Sequence, residues 1–562
     1  MTSVPPGLIL IAGGMLLPLL RGRVRALAVL GLPLATLALV WAVPVGASST
    51  LPFLGWELAP VHGTVTGRLF ATIFSITAFA AGLFALPRAR PLELAAALVY
   101  AGGAVGVTLA GDVVTLFVFW ELMAVASTTV IWASDQPGAW SASMRYLLIH
   151  LLGGMLLMAG LAAHVAGTGS VAFQAFPTEG IARWLILAGF LVNAGAPPFS
   201  AWIADAYPEA SPSGMVFLSA FTTKAAVYAL LVGFPGTGVL VPIGLYMVFY
   251  GIIYALLEND MRRILAYSIV NQVGFMVTGI GIGTEMALNG AASHAFAHII
   301  YKALLLMSAG SVLHATGRRK CTELGGLFRS MPATTVCGAV GALAISSFPF
   351  TSGFVSKSMV SQAAVDEHAM VVWFLLAAAS AGVFLHAGIK FPWFVFFQRD
   401  SGLRPPDPPA PMRAAMWLFA ALSVAIGLVP GPLYALLPHA VTYEPYTVPH
   451  VVAYLQLLLF AGLAFFVMLP LMRRTETIAL DLDWIYRRPL AVLARDMAQR
   501  IDRSRRAAER TGQIAWARLA SGLFQAYGPG GALGRTRPTG TMLLWVVLLL
   551  GAFVILHFSQ SG

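Results

Sequence analysis

Apolar segments of about twenty residues recur along the whole chain, and this pattern limits the fold more than any other feature. A hydrocarbon core of ~30 Å is crossed by a helix of about 20 apolar residues. Only 10% of the 562 residues are charged and 58% are hydrophobic, whereas soluble globular chains carry about 25% charged residues. The sequence therefore predicts an all-α polytopic membrane protein and excludes a soluble enzyme. About sixteen spans are expected, at 5–20, 26–44, 67–87, 92–111, 113–133, 143–166, 182–204, 213–234, 238–257, 263–283, 287–314, 332–364, 369–397, 413–431, 451–472 and 541–558.

The basic residues of the loops fall almost entirely on alternate sides of these spans. If the N-terminus is outside, the outer loops hold little beyond Arg68 and Arg183. The positive-inside rule therefore predicts an outside N-terminus, and the first span should be a retained helix because no basic region precedes it. The net charge of +11 indicates orientation and contact with anionic lipid rather than nucleic acid. The inner loops hold Arg21, Arg23, Arg25, Arg88, Arg90, Arg145, Arg262, Arg263, Arg318, Arg319, Lys320, Arg329, Arg399, Arg404, Arg413, Arg473 and Arg474.

Two predicted spans carry helix-breaking residues in their interior. Gly195, Pro197 and Pro198 interrupt 182–204, and the sequence FPFTSG at 348–353 interrupts 332–364. Proline removes a backbone donor, and the carbonyls released in lipid need new partners. Broken helices at membrane depth usually line a cavity or an ion path, with a simple kink as the alternative.

The stretch 473–540 differs from the rest because it holds 13 arginines against six acidic residues. Leu490, Leu493, Met497 and Ile501 recur at helical spacing between the charges. This pattern predicts an amphipathic helix that lies along the membrane surface or against neighbouring proteins. A glycine-rich linker then leads to a final span.

Ionisable residues inside apolar helices are the candidate functional groups, because each is costly to bury in lipid. The chain has 29 arginines but five lysines, and all lysines except Lys320 lie within apolar stretches. Lysine can lose its proton in a buried site and arginine cannot. The candidates for a proton relay are Glu121, Lys224, His294, His298, Lys302, Lys357, His386 and Lys390. A lysine that reaches the interface from a helix end is the alternative for Lys390.

The spacing of four residues supports a relay on one helix. His294, His298 and Lys302 lie one turn apart on the same face. His386 and Lys390 repeat this spacing. A lone membrane histidine is more often a hydrogen-bond donor between helices, but three titratable groups on one stripe favour proton movement.

Sequence signatures of a cofactor or an energy source are missing from the chain. The two cysteines, Cys321 and Cys337, form no CxxC pair, and there is no Walker, Rossmann or haem-attachment motif. We therefore expect no cofactor, no metal site, and no redox or hydrolytic site of the chain's own. Driving energy must then come from an ion gradient or from partner subunits.

Five stretches in order resemble the antiporter-like subunits of Mrp-type cation/proton antiporters, respiratory complex I and membrane-bound hydrogenases. The overall similarity is strongest to the D-type Mrp subunit. The stretches are WELMAVAS at 120–127, WIADAYPEASPSG at 202–214, ENDMRRILAYSIVNQVGFM at 258–276, HAFAHIIYKALLLMSAGSVLH at 294–314 and FPFTSGFVSKSM at 348–359.

The resemblance implies a fold of about 14 core helices with two inverted five-helix repeats, each containing a broken helix and forming a half-channel. The in-plane helix and last span are similar to the lateral arm of the distal complex I subunit. The expected segments are N-terminal helices at 1–90, the first half-channel at 91–257, the second at 258–400, further core helices at 401–472, the basic helix and linker at 473–540, and the last span at 541–562.

The family pattern also assigns roles by position. Glu121 matches the glutamate of the fifth helix, Lys224 the lysine linking the two halves, and Lys357 the charge at the exit. His294, His298 and Lys302 match the relay of the eleventh helix.

One departure from that pattern affects the first half-channel. The broken seventh helix reads GFLVNAGAPPFSAW, so Asn193 and Ser200 stand where the family has lysine and histidine. Asparagine carries no charge, so another basic group must reach Glu121, with Lys224 as the leading candidate. Otherwise this half binds a different ion or does not conduct.

The sequence thus predicts a proton-translocating subunit of a multi-subunit monovalent cation/proton antiporter in the bacterial inner membrane. Its expected partners are other integral membrane subunits, H⁺, and Na⁺ or K⁺. The alternatives are the proton-pumping membrane module of a complex I-like NADH:quinone oxidoreductase or hydrogenase, a proton-coupled inorganic-carbon uptake subunit, and a non-conducting scaffold.

Overall fold

The computed structural model describes residues 4–471 and 481–560. The first helices are α1 (Gly7–Leu16), α2 (Gly22–Ala42), α3 (Val65–Ala85), α4 (Pro91–Leu109), α5 (Val113–Trp132), α6 (Ala139–Thr168) and α7 (Ile181–Ala194). The next are α8 (Trp202–Ala206), α9 (Pro212–Ala220), α10 (Thr222–Gly233), α11 (Leu240–Leu257), α12 (Met261–Ile282), α13 (Glu285–Thr316) and α14 (Pro332–Ile345). The last are α15 (Ser352–Asp366), α16 (Met370–Val383), α17 (Ala410–Leu428), α18 (Gly431–Tyr434), α19 (Val448–Val467), α20 (Asp483–Arg487), α21 (Pro489–Tyr527) and α22 (Thr539–Ser559).

Each predicted span coincides with one apolar helix, or with two consecutive helices, of the described chain. Thirteen helices are long and apolar enough to cross a membrane, and three shorter ones lie at Gly7–Leu19, Ile181–Ala194 and Pro332–Ile345. Helix α16 continues through π-helical turns at Phe384–Lys390 and Trp393–Phe397. The chain is therefore a polytopic membrane protein, as predicted.

Side-chain caps explain several helix starts. The Thr64 hydroxyl accepts from the backbone N–H of Gly67 before α3, and Asp112 accepts from Thr115 before α5. Asp260 caps α12 in the same way. Each cap satisfies an amide at a helix N-terminus, where no intrahelical acceptor exists.

Two features of the loops were not predicted. A small antiparallel hairpin, β1 (Leu51–Phe53) and β2 (Trp56–Leu58), occupies the loop after α2. Arg145, which was assigned to a loop, lies within α6 and forms a bidentate ion pair with Asp205 of α8, at 2.7 and 2.8 Å. Because Asp205 balances its charge, Arg145 is tolerated near the end of this membrane-spanning helix.

Helices α12 and α13 form the centre of the packed core. Of the residues in the apolar, membrane-spanning stretch of each helix, 100% are buried in α12 and 94% in α13. Glycine permits close approach of α11 to α12, since a Cβ at Gly251 would meet the backbone oxygen of Tyr267 at 2.6 Å. The polar residues of α13 are therefore enclosed by protein rather than by lipid.

The chain divides into two compact units, residues 1–483 and 484–562. In the second unit, α21 is a 39-residue helix that carries Leu490, Leu493, Met497 and Ile501. The helical character of this segment was predicted, and its position in the plane of the membrane stays a prediction. Arg473 and Arg474, assigned above to an inner loop, and the start of the predicted segment 473–540 fall outside the described residues.

Candidate functional site

The seventh predicted span, 182–204, is broken in the structure. Helix α7 ends just before Gly195, whose φ of +78° is a left-handed conformation that glycine adopts without strain. The indole N–H of Trp202 donates to the carbonyl oxygen of Val192 at 2.9 Å and so satisfies a carbonyl at the end of α7. Asn193 thus lies at the break, on the last turn before the chain leaves the helix.

The twelfth span is broken in the same manner, five spans later, as two five-helix repeats require. Helix α14 ends at Ile345 and α15 begins at Ser352, with Ser347 and Phe350 at φ values of 57° and 68° between them. Lys357 lies on the second turn of α15 and is fully buried. Both breaks predicted from glycine and proline are therefore present.

A hydrogen-bonded cluster surrounds His294 at the centre of α13. Its Nε2 lies 3.1 Å from Oε1 of Gln272, and its Nδ1 lies 3.2 Å from the hydroxyl of Ser356. The hydroxyl of Tyr301 donates to the same Gln272 oxygen at 3.0 Å. Helices α12, α13 and α15 therefore meet at this imidazole, which links the relay stripe to the second broken helix.

The other two members of the stripe are equally enclosed. His298 and Lys302 are 0% exposed. The Lys302 ammonium donates to the hydroxyl of Ser268, whereas neither ring nitrogen of His298 has a hydrogen-bond partner among the described residues. His298 lies within electrostatic reach of both Lys224 and Lys302. His298 is therefore an enclosed titratable group that both lysines influence electrostatically.

Lys224 lies on the first turn of α10. Its ammonium donates to the carbonyl oxygen of Ser219 at 2.7 Å, where α9 gives way to α10, and to the hydroxyl of Thr223 at 3.1 Å. The side chain is 0% exposed. In the described part of the chain it makes no ion pair, so its charge is balanced by dipoles alone.

Lys357 and His386 lie beyond the stripe. The Lys357 ammonium has no hydrogen-bond partner within the described residues and lies 5.1 Å from the ring centroid of Phe275. Nδ1 of His386 donates to the carbonyl oxygen of Gly382 at 2.8 Å, and its Nε2 has no hydrogen-bond partner within the described residues. His386 is within electrostatic reach of Lys302 and Lys357.

Lys390 has a different environment from the other buried lysines. Its ammonium donates to the carbonyl oxygens of Ala255, Leu256 and Glu258 at 2.6, 2.7 and 2.7 Å. These carbonyls lie at the C-terminus of α11, where four acceptors lack intrahelical partners and the helix dipole favours a cation. The geometry favours a fixed charge that caps a helix.

Glu121 does not meet the basic group that we expected. Its carboxyl lies against Gly154 of α6, where a Cβ would collide with Oε1. Oε1 is buried without a hydrogen-bond partner among the described residues. Among the described residues, Lys224 donates elsewhere and forms neither a hydrogen bond nor an ion pair with Glu121, so its role as the basic partner of Glu121 stays a prediction.

Sequence reasoning also missed three buried polar residues. His150 of α6 is 1% exposed, and its Nδ1 lies 3.0 Å from Oδ1 of Asn193. Glu93 of α4 accepts from Ser211 and Ser213, and Arg262 donates to three backbone carbonyls of residues 208–211. Glu121 was selected because it is an ionisable residue within an apolar span. His150 and Glu93 meet the same criterion, and applying it to every span would have found them.

A cavity of about 480 Å³ opens beside Glu93. Arg88, His314 and Arg319 line its wall, together with the serines that donate to Glu93. It offers water a route from the loops to a buried carboxyl. Within residues 4–471 and 481–560, no cluster of three or more His, Cys, Asp or Glu side chains could hold a metal ion.

The fold and the enclosed row of titratable side chains define the class, a polytopic membrane protein with ionisable groups inside its helix bundle. Residues 110–384 match the family described as NADH:quinone oxidoreductase/Mrp antiporter, transmembrane region. Over these residues the chain is similar to the antiporter-like membrane proteins of this family, which confirms the resemblance seen in the sequence.

Individual relatives extend this result. The chain is 30% identical over 396 residues to the A/B-type component of a probable K(+)/H(+) antiporter of Rhizobium meliloti, a match that covers 64% of this chain and 40% of the relative. It is 27% identical over 395 residues to the D-type component of the Na(+)/H(+) antiporter of Alkalihalophilus pseudofirmus, covering 65% and 80%. The chain spans 40–44% of the length of three of the curated relatives it matches.

A solved structure shares the fold. A chain of the membrane-bound sulfane sulfur reductase, an archaeal respiratory membrane complex, superposes with a TM-score of 0.72 at 23% identity. The match covers 98% of this chain and 100% of that chain. The helical architecture is therefore that of a known membrane protein.

Proposed function

We propose that this chain is the proton-translocating subunit of a multi-subunit monovalent cation/proton antiporter, similar to the D-type Mrp subunit. The observation that carries the proposal is the enclosed row of Lys224, His298, Lys302 and His294 across α10 and α13. Each is 0% exposed, and each lies beside another titratable group or a hydroxyl. An ionisable group inside a spanning helix is a functional candidate by default.

In this proposal the proton moves by short transfers between neighbouring groups. Lys224 receives it from the first half, His298 accepts and releases it between the two lysines, and Lys302 passes it on. The Gln272 amide and the Ser356 hydroxyl hold His294 toward Lys357, whose ammonium has no hydrogen-bond partner among the described residues and is the proposed outlet. Glu121 is the acid of the first half, and His386 is the outermost titratable group of the second.

Lys390 has another role in this scheme. Because three carbonyls hold its ammonium, it serves as a fixed cation beside the path rather than as a proton carrier. This assignment departs from the sequence-based prediction of a relay residue. The two segments 91–257 and 258–400 remain our proposed half-channels, each containing one broken helix.

The proposed setting is the bacterial inner membrane with the N-terminus outside, among other integral membrane subunits, with Na⁺ or K⁺ as the exchanged cation. The curated relatives named as antiporter components support this setting. The second candidate is a proton-pumping module of a respiratory complex, which is favoured by the match over 98% of the chain to a component of one. Co-purification with quinone-linked or iron–sulfur subunits would support the second candidate and contradict the first.

The test measures ion flux in membrane vesicles that contain the assembled complex. We expect Lys224→Ala and Glu121→Gln each to abolish most proton and cation flux without loss of assembly, because each removes a titratable group from an apolar helix. Lys320→Ala and Glu179→Gln are the matched controls, since both residues are exposed in loops. Normal flux in Lys224→Ala or Glu121→Gln would remove that residue from the path.

A further inference from the structure

The first broken helix carries no ionisable residue at its break, but a neighbouring helix brings one there. Asn193 at the end of α7 is 4% exposed, and its amide oxygen Oδ1 lies 3.0 Å from Nδ1 of His150 on α6. Because an amide oxygen only accepts, the imidazole donates at Nδ1 and is left with an acceptor at Nε2. Nε2 is buried and has no hydrogen-bond partner among the described residues. The ring is therefore set to take up a proton.

Aromatic side chains hold the His150 ring in this orientation. Its centroid lies 4.0 Å from that of Tyr146, one turn earlier on α6, and 4.7 Å from the ring of Trp202, which follows the break. The indole of Trp202 is itself held by its bond to the Val192 carbonyl. Side chains from α6, α7 and α8 therefore orient the His150 imidazole.

Glu121 of α5 lies beside the turn of α6 that follows His150. Gly154 follows His150 by four residues, which places both on one face of α6. The Glu121 carboxyl occupies the space where a Gly154 side chain would be, and Oδ1 of Asn193 lies 3.3 Å from the Cβ position of Gly153. The carboxyl, the amide and the imidazole therefore surround the same two turns.

Hydroxyls lie between the Tyr146 side chain, which contacts the His150 ring, and the start of α10. The hydroxyl of Tyr146 lies 3.4 Å from Oγ1 of Thr222 and donates to Ser127 at 2.9 Å. Thr222 begins α10, two residues before Lys224. The remaining titratable or charged groups facing this region are Tyr100, Tyr207 and the Arg145–Asp205 ion pair.

We propose that His150 is the proton carrier of the first half-channel, with Asn193 as the residue that positions its ring. The inference rests on the proposed function. The proton leaves the Glu121 carboxyl, which becomes a carboxylate, and binds Nε2 of His150, which becomes an imidazolium. It then leaves Nε2 toward the Tyr146 and Thr222 hydroxyls and reaches Lys224 as the free amine, which becomes an ammonium, while a second proton restores Glu121. No Glu121–Lys224 contact is needed.

The experiment measures proton flux against pH in vesicles that contain the whole complex. His150→Gln keeps a hydrogen-bonding side chain but binds no proton, and we expect at least a tenfold loss, since a positioned proton carrier typically contributes about 10²–10⁴-fold. His164→Gln is the matched control on the same helix, because His164 lies beside Phe176, away from the break. Normal flux with an unchanged pH profile in His150→Gln would overturn the proposal.

A second pair of variants separates proton transfer from structural support. In His150→Gln combined with Asn193→Lys, the new lysine supplies a titratable group at the break, and flux should partly return. Asn193→Lys alone should reduce flux, because a second cation then faces His150. Failure of the double variant to exceed His150→Gln would contradict the proposal.

Asn193→Asp covers the case in which His150→Gln fails to assemble. An aspartate beside Nδ1 favours the protonated ring, so the flux profile should move to higher pH. An unmoved profile in an assembled Asn193→Asp complex would overturn the role of His150. Lys302→Ala tests the proposed function separately. Normal flux in the Lys302→Ala complex would contradict the proposed function. Lost flux in Lys302→Ala together with normal flux in His150→Gln would contradict only the role of His150.

Discussion

At the scale of single residues, the buried lysines have two kinds of surroundings. Lys390 fills the end of α11 with three bonds to carbonyls, whereas Lys302 makes one bond to a serine hydroxyl. An ammonium with three carbonyl acceptors is costly to deprotonate, because the carbonyls would lose their donor in a buried site. The number of acceptors therefore distinguishes a fixed charge from a proton carrier, although both kinds of lysine look alike in sequence.

For Lys302 we expect that arginine is nearly as damaging as alanine. Lys302→Arg keeps the positive charge, but a guanidinium does not release its proton. Proton flux in vesicles should fall in Lys302→Arg almost as far as in Lys302→Ala, with Lys320→Arg in the exposed loop as the control. Substantial flux in Lys302→Arg would mean that Lys302 acts as a fixed charge.

For Lys390 we expect a loss of stability rather than of transport. Lys390→Gln leaves at least one carbonyl of α11 without a donor, at a cost of about 1–3 kcal/mol for each unsatisfied buried group. The thermal unfolding midpoint of the detergent-purified complex should fall, while flux per assembled complex should stay near that of the unchanged protein. An unchanged midpoint with abolished flux would return Lys390 to the relay.

At the scale of elements, glycine permits two close approaches, one within the second broken span and one between α5 and α6. In the second half, a Cβ at Gly353 would collide with the carbonyl oxygen of Ala344, so only glycine permits the ends of α14 and α15 to approach. In the first half, Gly154 gives the Glu121 carboxyl its place against α6. Helix packing thus positions the groups that the chemistry requires.

We therefore expect Gly154→Ala to displace the Glu121 carboxyl. The added methyl group would overlap Oε1, so the side chain must rotate away from α6 or the helices must separate. Proton flux should fall several-fold while the complex still assembles, which co-purification can verify. Gly167→Ala is the control on the same helix, because nothing lies within 4 Å of its Cβ position; equal flux in both variants would contradict the proposed position of Glu121.

At the scale of the whole membrane unit, hydrogen bonds and ion pairs join loops that are predicted to lie on the same side of the membrane. On the side predicted to be outside, the N–H of Gly111 donates to Ala59 at 2.9 Å, and Gly236 donates to Ile280 at 2.9 Å. On the side predicted to be inside, Arg319 bonds Asp260 at 2.9 Å and Glu209 at 3.1 Å. These pairings support the number of crossings on which the positive-inside argument depends.

The orientation itself can be tested with single cysteines. In a Cys321→Ser, Cys337→Ser background, a membrane-impermeant thiol reagent added to intact cells should label Thr50→Cys, in the exposed loop after α2. Ser401→Cys, exposed on the opposite side, should react only after the membrane is permeabilised. Labelling in the reverse order would invert the proposed topology.

The spans, their breaks and most of the titratable residues could be predicted from the amino-acid sequence, because these depend on local properties of the chain. Twenty apolar residues favour a spanning helix wherever they occur, and glycine or proline breaks it without help from distant residues. The stripe of His294, His298 and Lys302 followed from helical spacing alone. The predicted spans coincide with apolar helices, and the resemblance to the family is confirmed, for the same reason.

Which ionisable side chains contact each other depends on how the helices pack in three dimensions. Asn193 indicated that a basic residue was missing, but the residue beside it, His150, lies on α6, 43 positions away in the chain. Lys390 was predicted as a relay residue, and its three carbonyl partners at the C-terminus of α11 are the reason for our proposal that it is a fixed cation. Hydrogen-bond partners are set by how helices pack, and packing depends on the shapes of all the faces together, so spacing along one helix cannot reveal them.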